Sequence, residues 1–262
     1  MQLFDGYIFD LDGTVYLGDE LIPGARETIL RLRELGKKVV FLSNKPLETR
    51  ADYAAKLTRL GIPTQEEEVV NSTYVLAQYL KKRDPKALTY VIGEQALLTD
   101  LERAGIAYTL SPDEVNYEID YVIIAFDRTF HYDKLNHALQ AVKKGAKLIA
   151  TNADRTCPVP GGEVPDAAGM IGAIEGVTGK KVEVVVGKPS PITVDIALSA
   201  LQVAGQDCIM VGDRLETDMV MAQNAGIPSA LVMTGVTDEA MLASSEIRPD
   251  FVLSSIADLL AE

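Results

Sequence analysis

The sequence predicts an α/β fold with a doubly wound parallel sheet and a smaller α/β domain inserted into it. Two observations lead to this prediction. Short apolar runs bounded by turn residues alternate with segments of helical periodicity, which is typical of βαβ units and a parallel sheet. The chain has 262 residues, of which 47% are apolar and 24% charged, and this is enough material for two globular domains.

The first series of elements is predicted from the N-terminus to Arg83. Its helices carry apolar residues on one face and should end at glycines, at Gly36 and Gly61. Ser72 is the predicted N-cap of its last helix. The predicted elements are a strand over 6–9 that ends at Asp10, a helix over 25–35, a strand over 38–42 that ends at Ser43, a helix over 47–60, a strand over 69–70 and a helix ending near Arg83.

The second series begins after the helix break at Asp84-Pro85. Its predicted elements are a strand over 88–92, a helix ending at Gly105, a strand over 121–126, a helix over 133–144, a strand over 147–150, a loop over 158–165 and a helix over 167–177. The first pattern then resumes with a strand over 184–187, a helix over 191–203, a strand over 209–211, a helix over 217–225 and a strand over 230–232. We therefore expect a discontinuous core, residues 1–83 and 182–262, and an inserted domain, residues 84–181.

The composition argues against several classes of partner. Acidic residues outnumber basic ones and give a formal net charge of −13, so the surface should repel nucleic acid and anionic membranes. The N-terminal segment has no basic start, and no apolar run approaches the roughly 20 residues of a membrane span, so a cytoplasmic protein is expected. Cys157 and Cys208 are too few for a disulfide scaffold and are expected to be ordinary thiols.

Two aspartates follow the first predicted strand in the segment Asp10-Leu11-Asp12-Gly13-Thr14. The carboxyl ends of parallel strands are where α/β folds bind ligands. Because residues two apart in an extended segment face the same way, Asp10 can attack phosphorus while Asp12 donates and accepts the proton. Gly13 lets the backbone turn and approach a phosphate. The alternative is an ordinary turn, but the four fixed letters of this pattern favour the catalytic interpretation.

Two further strand ends carry groups that can hold a phosphate. Ser43 and Asn44 offer a hydroxyl and an amide near a helix start, although this pair is also a common helix cap. Lys188, in Gly187-Lys188-Pro189, offers a cation, or else it is a solvated surface lysine.

A last pair of carboxylates, Asp213 and Asp218, lies between a predicted strand and a predicted helix. Mg²⁺ takes a few carboxylate and carbonyl oxygens together with water, and this suits Asp10, Asp213 and the main chain of Asp12. Asp218 can support the metal site, stabilise the helix N-terminus, or do both.

These segments together resemble a known family. The phosphatases of the haloacid dehalogenase superfamily, which have a Rossmann-like core, carry four motifs that are similar to Asp10-x-Asp12-Gly13-Thr14, Ser43-Asn44, Gly187-Lys188-Pro189 and Gly212-Asp213-Arg214-Leu215-Glu216-Thr217-Asp218, in this order. The sequence is most similar to the NagD-like, 4-nitrophenylphosphatase subgroup, especially its sugar phosphatases of arabinose operons. Supporting motifs of that subgroup are Thr151-Asn152-Ala153-Asp154 and Phe126-Asp127-Arg128-Thr129-Phe130-x-Tyr132-x-Lys134-Leu135.

The resemblance implies a role for each of the residues already singled out. It implies a nucleophile at Asp10, an acid/base at Asp12, phosphate holders at Ser43 and Lys188, and Mg²⁺ ligands at Asp10, Asp213 and the Asp12 carbonyl, with Asp218 supporting them. It also implies that the inserted domain is a cap of type C2 that closes over the site. Asn152 and Asp154 would belong to a cap loop near the site, and an ordinary turn after a strand is the equally weighted alternative.

The sequence departs from the subgroup pattern at three places. Lys45 replaces a usual second Asn, Ala153 replaces a usual Pro, and Pro165-Asp166-Ala167-Ala168-Gly169 replaces Pro-Gly-Ala-Gly. None of the three touches the chemical step, and all bear on substrate choice. Lys45 either adds positive potential for an anionic group of the substrate or points into solvent.

The sequence thus predicts a Mg²⁺-dependent phosphatase that hydrolyses small phosphomonoesters, such as sugar phosphates, nucleotides or aryl phosphates, through an aspartyl phosphate. A phosphomutase on the same scaffold is the nearest alternative. A regulatory module switched by a phospho-aspartate is another, although it leaves Asp12 and the inserted domain without a role. The expected partner is a small phosphorylated metabolite, with neither nucleic acid nor membrane, and a homodimer through the cap is a further expectation. His131 and His137 lack ligand spacing, so no zinc site is expected.

Overall fold

The computed structural model describes residues 3–114, 118–159 and 161–260. The chain forms two units. The first consists of Met1–Ser43, Arg50–Val70 and Lys188–Glu262, and the second of Asn44–Thr49 and Asn71–Gly187.

The strands of both units are short. In chain order they are β1 (Gly6–Asp10), β2 (Tyr16–Leu17), β3 (Glu20–Leu21), β4 (Lys38–Ser43), β5 (Val69–Asn71), β6 (Leu88–Ile92), β7 (Ala107–Thr109), β8 (Tyr121–Ile124), β9 (Lys147–Ala150), β10 (Thr156–Val159), β11 (Gly162–Pro165), β12 (Val184–Val185), β13 (Cys208–Gly212), β14 (Ser229–Val232) and β15 (Phe251–Leu253).

The helices connect most of these strands. They are α1 (Ala25–Glu34), α2 (Arg50–Arg59), α3 (Ser72–Arg83), α4 (Gln95–Ala104), α5 (Tyr132–Lys143), α6 (Ala167–Thr178), α7 (Pro191–Leu201), α8 (Val220–Ala225) and α9 (Glu239–Ser244). A π-helical segment, Leu215–Met219, runs directly into α8.

The first unit is built on a six-stranded sheet with the order β15-β14-β13-β1-β4-β5. β1 is completely buried and pairs in parallel with β4 on one side and β13 on the other. The chain moves outward from β1 through β4 and later from β13 through β14 to β15. The strand order therefore reverses between β1 and β13, and their carboxyl ends form the crevice in which doubly wound sheets bind ligands.

The second unit has its own sheet, with the order β12-β9-β8-β6-β7 and parallel pairing throughout. Its apolar core lies between this sheet and helices α5 and α6, and it includes Tyr90, Val122, Leu148 and Ile174. The predicted α/β class, with parallel sheets and a doubly wound core, is confirmed.

Several elements, such as β7, β15 and α9, are absent from the prediction, and others differ from it. Strand β12 pairs with β9 in the second unit, whereas its position in the sequence predicts that the core resumes with it. This strand has only two residues, both half-buried, so its local pattern cannot tell which sheet completes it. The predicted loop over 158–165 overlaps the antiparallel pair of β10 and β11. Pro158 and Pro165 lie in this two-stranded ribbon, where a missing N–H is tolerated.

The N-cap of α3 is Asn71 and not Ser72. The Asn71 side chain accepts a hydrogen bond from Tyr74 N at 3.1 Å, while Ser72 is the first residue of the helix and its hydroxyl donates to the carbonyl of Asn44. Helix α3 and strand β12 both lie in the second unit, and α3 falls outside the predicted inserted range of 84–181, as does β12. The division into a catalytic core and a cap stays a prediction.

Candidate active site

Two carboxylates lie at the point where the strand order reverses. Asp10 is the last residue of β1, and Asp213 follows β13 directly. Both side chains are buried. Because β1 and β13 are parallel neighbours, their carboxyl ends bring Asp10 and Asp213 to the same edge of the sheet.

Lys188 joins this pair from the segment that precedes α7. Its Nζ contacts Asp10 Oδ1 and lies 2.6 Å from Asp218 Oδ1. Burial alone would lower the pKa of Lys188, but the carboxylates of Asp10 and Asp218 raise it above its usual value. Lys188 is therefore a buried, charged ammonium group, which excludes the solvated surface lysine that the sequence left open.

Asp218 comes from the π-helical segment and is fully buried. Besides Lys188, it accepts a hydrogen bond at Oδ2 from Arg214 N, at 3.1 Å, at the start of that segment. One oxygen of Asp218 thus lies at the N-terminus of the π-helical segment, as predicted, and the other contacts Lys188. Its support of a metal site stays a prediction.

The carboxylates of Asp10, Asp213 and Asp218 form a group whose ligand oxygens lie within 4.8 Å of one another. Burial, together with the Asp218 carboxylate, raises the pKa of Asp213 to about 6, and burial raises the pKa of Asp10 against the opposing charge of Lys188. Asp213 Oδ1 is buried and has no hydrogen-bond partner among the described residues. Three buried carboxylates facing one ammonium leave an excess of negative charge, which fits a hard divalent cation such as Mg²⁺.

The loop after β1 carries the next two predicted site residues. Asp12 is half-buried and forms an isolated bridge with Tyr16, and Gly13 N donates to Tyr16 O at 2.8 Å. Gly13 has φ of +90°, and a Cβ on it would lie 2.5 Å from Asp213 Oδ2. Only glycine fits here, because the backbone is left-handed and packs directly against the Asp213 carboxylate.

Ser43, the last residue of β4, is buried, and its hydroxyl donates to Tyr53 OH at 3.4 Å. Asn44 follows it in the chain but belongs to the second unit. There it donates from Nδ2 to Asp154 Oδ2, at 3.1 Å. The pair predicted as one phosphate-holding motif is therefore divided between the two units.

Three candidate site residues of the second unit, Asn44, Asn152 and Asp154, are joined by hydrogen bonds. Asn152 donates to Asp154 Oδ2 at 3.1 Å and to Asp166 Oδ1 at 3.2 Å, so Asp154 accepts from both Asn44 and Asn152. This cluster of amides and carboxylates follows β9, at the carboxyl edge of the second sheet. The arrangement is more than an isolated turn, since it joins residues far apart in the chain.

Comparison with known proteins decides the family. A model described as haloacid dehalogenase-like hydrolase matches residues 7–107, and a second, HAD-hydrolase-like model matches residues 185–259. The sugar phosphatase AraL of Bacillus subtilis is 43% identical over 254 residues, covering 97% of this chain and 91% of AraL. This chain belongs to the haloacid dehalogenase-like hydrolases.

Solved structures of such hydrolases have the same architecture. A 4-nitrophenylphosphatase from Thermotoga maritima superposes with a TM-score of 0.91 at 36% identity, covering 98% of this chain and 96% of that one. A glycerol phosphate phosphatase from Mycobacterium tuberculosis, solved in complex with magnesium, gives 0.90 at 29% identity, covering 98% and 77%. The predicted family and subgroup are confirmed, and the chain is a phosphatase of this hydrolase family.

One segment beside the candidate site was not predicted from the sequence, residues 234–237, which follow β14. Val236 N donates to Asp213 Oδ2 at 2.6 Å, and Thr234 Oγ1 donates to Gly13 O at 2.6 Å. The available signal was that Thr234 and Gly235 come soon after a buried strand, as Asp12 and Gly13 do after β1. None of them is a carboxylate or a lysine, so their side chains do not indicate a catalytic or metal-binding role.

The remaining residues considered in the sequence have local roles. His131 accepts a hydrogen bond from Asp133 N as the N-cap of α5, and His137 Nε2 lies 3.1 Å from Asp113. Cys157 and Cys208 are both buried, and burial raises the pKa of Cys208 to about 12. None of the helices in the described parts of the hydrolase is long and apolar enough to cross a membrane.

Proposed function

We propose that this chain is a Mg²⁺-dependent phosphatase of small phosphomonoesters that works through an aspartyl phosphate on Asp10. The observation that carries the proposal is the buried contact of Asp10 with Lys188 beside the carboxylates of Asp213 and Asp218. A nucleophilic carboxylate has to stay ionised although it is buried. The ammonium group of Lys188 favours that ionised form.

In the first step, an oxygen of Asp10 forms a bond to phosphorus while the bond from phosphorus to the leaving oxygen breaks. Asp12 gives its proton to that oxygen, so the product leaves as an alcohol. In the second step, Asp12 takes a proton from water, the water oxygen bonds to phosphorus, and the bond to Asp10 breaks. Phosphate is released and both aspartates return to their starting states.

Charge stabilisation is the main task in phosphoryl transfer, because the transferred group is anionic throughout. Lys188 supplies a positive charge next to the attacking oxygen, and Ser43 supplies a hydroxyl at the end of the neighbouring strand β4. Bound Mg²⁺ would be held by Asp10, Asp213 and the Asp12 carbonyl, with Asp218 in support, and would neutralise charge on the phosphoryl oxygens. The similarity to the magnesium-containing phosphatase supports this choice of metal.

The substrates that we propose are sugar phosphates and aryl phosphates with small leaving groups. The similarity to a sugar phosphatase and to a 4-nitrophenylphosphatase supports both classes. Asn44, Asn152 and Asp154 offer amide donors and a carboxylate acceptor, which suit the hydroxyl groups of a sugar. We propose that these three residues bind the substrate.

The test is phosphate release from 4-nitrophenyl phosphate and from a panel of sugar phosphates, nucleotides and bisphosphorylated sugars, with Mg²⁺ and with EDTA. We expect activity only with Mg²⁺, and a covalent phosphoenzyme in acid-quenched single turnovers. Asp10→Asn should lose several orders of magnitude in kcat and form no phosphoenzyme, while Asp195→Asn, on an exposed position of α7, should behave as the wild type.

The same experiment separates the alternatives. A phosphomutase would return the phosphoryl group to a sugar phosphate and release little to water. A regulatory module would form the phosphoenzyme once and would not turn over. Activity of Asp10→Asn at a tenth of the wild-type level would overturn the assignment of the nucleophile.

Three predictions on partners and location extend this proposal. The partner that we propose is a small phosphorylated metabolite, and the net charge of −13 argues against nucleic acid and anionic membranes. A cytoplasmic location and a homodimer through the cap are the other two. Sedimentation of the purified protein at several concentrations tests the dimer.

A further inference from the structure

The segment Thr234-Gly235-Val236-Thr237 follows β14 and lies against two parts of the candidate site at once. It contains neither a carboxylate nor a lysine, and no step of the proposed reaction uses it. Its contacts with the site are made to Asp213 and to the loop of Gly13.

Two backbone N–H groups of the segment hold Asp213. Val236 N donates to Asp213 Oδ2 at 2.6 Å, and Thr237 N donates to the Asp213 carbonyl at 3.2 Å. The first bond occupies one carboxylate oxygen and leaves Oδ1 without a partner among the described residues, although Oδ1 is buried. A carboxylate held in this way can offer only its second oxygen to a ligand, whereas a freely rotating carboxylate could offer either oxygen.

A third bond ties the segment to the loop of Gly13. Thr234 Oγ1 donates to Gly13 O at 2.6 Å, one residue after Asp12. The carbonyl of Asp12 is the main-chain oxygen that the resemblance assigns to the metal. The bond from Thr234 therefore restrains the peptide next to the one that carries that oxygen.

Close packing reinforces the hydrogen bonds. A Cβ on Gly235 would overlap the Asp213 carboxylate and lie 2.6 Å from Asp213 Cβ, and a Cβ on Gly13 would lie 3.1 Å from Gly235 Cα. Gly235 does not have a positive φ, so the space beside Asp213, and not the backbone conformation, is what requires glycine here.

We propose that residues 234–237 are positioning residues of the metal site, which hold Asp213 with Oδ1 facing the cation and restrain the Asp12 carbonyl through Gly13. This inference rests on the proposed Mg²⁺ dependence. Outer partners of metal ligands typically change metal affinity or activity by about 10-fold to 100-fold when they are removed.

The sharpest test removes a single donor. Val236→Pro deletes the N–H that bonds Asp213 Oδ2, and Val236→Ala keeps it, so the second variant is the matched control for the first. Since the Val236 side chain is half exposed, neither change disturbs the core. We expect Val236→Pro to weaken Mg²⁺ binding at least about 10-fold, measured by isothermal titration of the protein without substrate, and Val236→Ala to bind as the wild type.

Two further pairs of variants test the same role without a proline, since Val236→Pro could also disturb the neighbouring backbone. Gly235→Ala should weaken Mg²⁺ binding, while Gly176→Ala, at a helical position with open space, should not. Thr234→Val should weaken it, and Thr234→Ser, which keeps the hydroxyl, should restore it. Binding of Mn²⁺ followed by electron paramagnetic resonance gives a second readout that does not depend on turnover.

The outcomes separate this inference from the proposed function. If the wild type binds Mg²⁺ and hydrolyses phosphomonoesters while Val236→Pro, Gly235→Ala and Thr234→Val bind Mg²⁺ equally well, the positioning role is wrong and the proposed function stands. If the wild type does not bind Mg²⁺ and hydrolyses phosphomonoesters without it, the proposed Mg²⁺ dependence is wrong, and so is the inference that rests on it. Urea unfolding in EDTA identifies any variant that is simply unstable. Weaker Mg²⁺ binding in variants of unchanged stability supports the inference.

Discussion

The Nζ of Lys188 lies 2.6 Å from Asp218 Oδ1, and both side chains are almost completely excluded from solvent. The same ammonium group contacts Asp10, which is the last residue of β1. A buried cation shared by two carboxylates stabilises all three charges, but each one costs desolvation energy if its partner is lost. Lys188 should therefore matter for the stability of the site as well as for the chemistry that we propose.

Replacing this lysine should destabilise the protein in the absence of any ligand. We expect Lys188→Met to lower the free energy of unfolding by about 3 to 5 kcal/mol, the usual effect of leaving a buried charge unpaired. The measurement is urea unfolding at pH 7 in EDTA. Lys180→Met, at an exposed position, is the matched control.

The double variant Lys188→Met/Asp218→Asn should recover part of this loss, because it removes one of the two unpaired carboxylates. Equal stability of Lys188→Met and the wild type would show that the contacts of Lys188 with Asp10 and Asp218 contribute nothing to folding.

Asp12→Asn should separate substrates by their leaving groups. The variant keeps the main-chain carbonyl but cannot transfer a proton, so kcat/KM for an alkyl phosphate should fall about 100-fold to 10,000-fold. For 4-nitrophenyl phosphate, kcat/KM should fall by about 10-fold or less, because nitrophenolate leaves without a proton. The second step still needs a base, so a burst of nitrophenol should precede a slow steady state.

Asp19→Asn, a side chain that is 95% exposed, is the control for this substitution. Equal losses of kcat/KM on the alkyl and the aryl substrate would show that Asp12 is not the general acid.

The part of the fold that could be predicted is the part that local pattern determines. Local sequence alone indicates two strands, the apolar run that ends at Asp10 and the apolar run that ends at Gly212. The rule that parallel strands present their carboxyl ends at one edge then brings Asp10 near Asp213. The burial of Lys188 could not be predicted, because it depends on the loop before α7 folding back to Asp10 and Asp218.

Contacts made by backbone groups escaped prediction for a physical reason. The donor of Val236 is its main-chain N–H, which every residue except proline possesses, so the identity of the side chain carries no signal. The pairing of β12 could not be predicted either. Its partner β9 is determined by long-range contacts, and the two valines of β12 do not specify which sheet they join.

The ion pair of Glu94 and Arg128 in the second unit should make stability depend on pH. Arg128 donates to both carboxylate oxygens of Glu94, at 2.9 and 2.6 Å. These hydrogen bonds lower the pKa of Glu94 from its usual 4.5. Because the folded-state pKa is the lower one, the stabilisation is complete above the unfolded-state value and is lost as the pH falls through the folded-state value.

We expect Arg128→Gln to lower the free energy of unfolding by about 0.5 to 1 kcal/mol at pH 7, a small effect because Arg128 is largely exposed. The difference from the wild type should shrink as the pH falls below about 4.5. Urea unfolding at a series of pH values measures it, with Arg155→Gln, an exposed arginine of the same unit, as the control. A difference that grows on acidification would contradict the assigned sign.

Lys45 is the departure from the subgroup pattern that lies nearest to a core motif, two residues after Ser43. Its charge acts on Asp166, a buried carboxyl whose pKa is raised by burial and lowered in part by Asn152 and Lys45. If Lys45 also acts on an anionic leaving group, Lys45→Ala should raise KM for bisphosphorylated or carboxylated substrates about tenfold for each 1.4 kcal/mol lost. KM for 4-nitrophenyl phosphate, whose leaving group has no second charge, should stay nearly constant.

The comparison between the two substrates is internal, so general damage at Lys45 would raise both KM values in parallel. Lys45→Arg should keep the wild-type preference because the charge is retained, and Lys86→Ala, at an exposed position, is the matched control for loss of a lysine. Parallel changes, or no change with either substrate, would mean that Lys45 does not select substrate charge. The discriminating contacts would then be those that we propose for Asn152 and Asp154, whose amide and carboxylate groups suit hydroxyls.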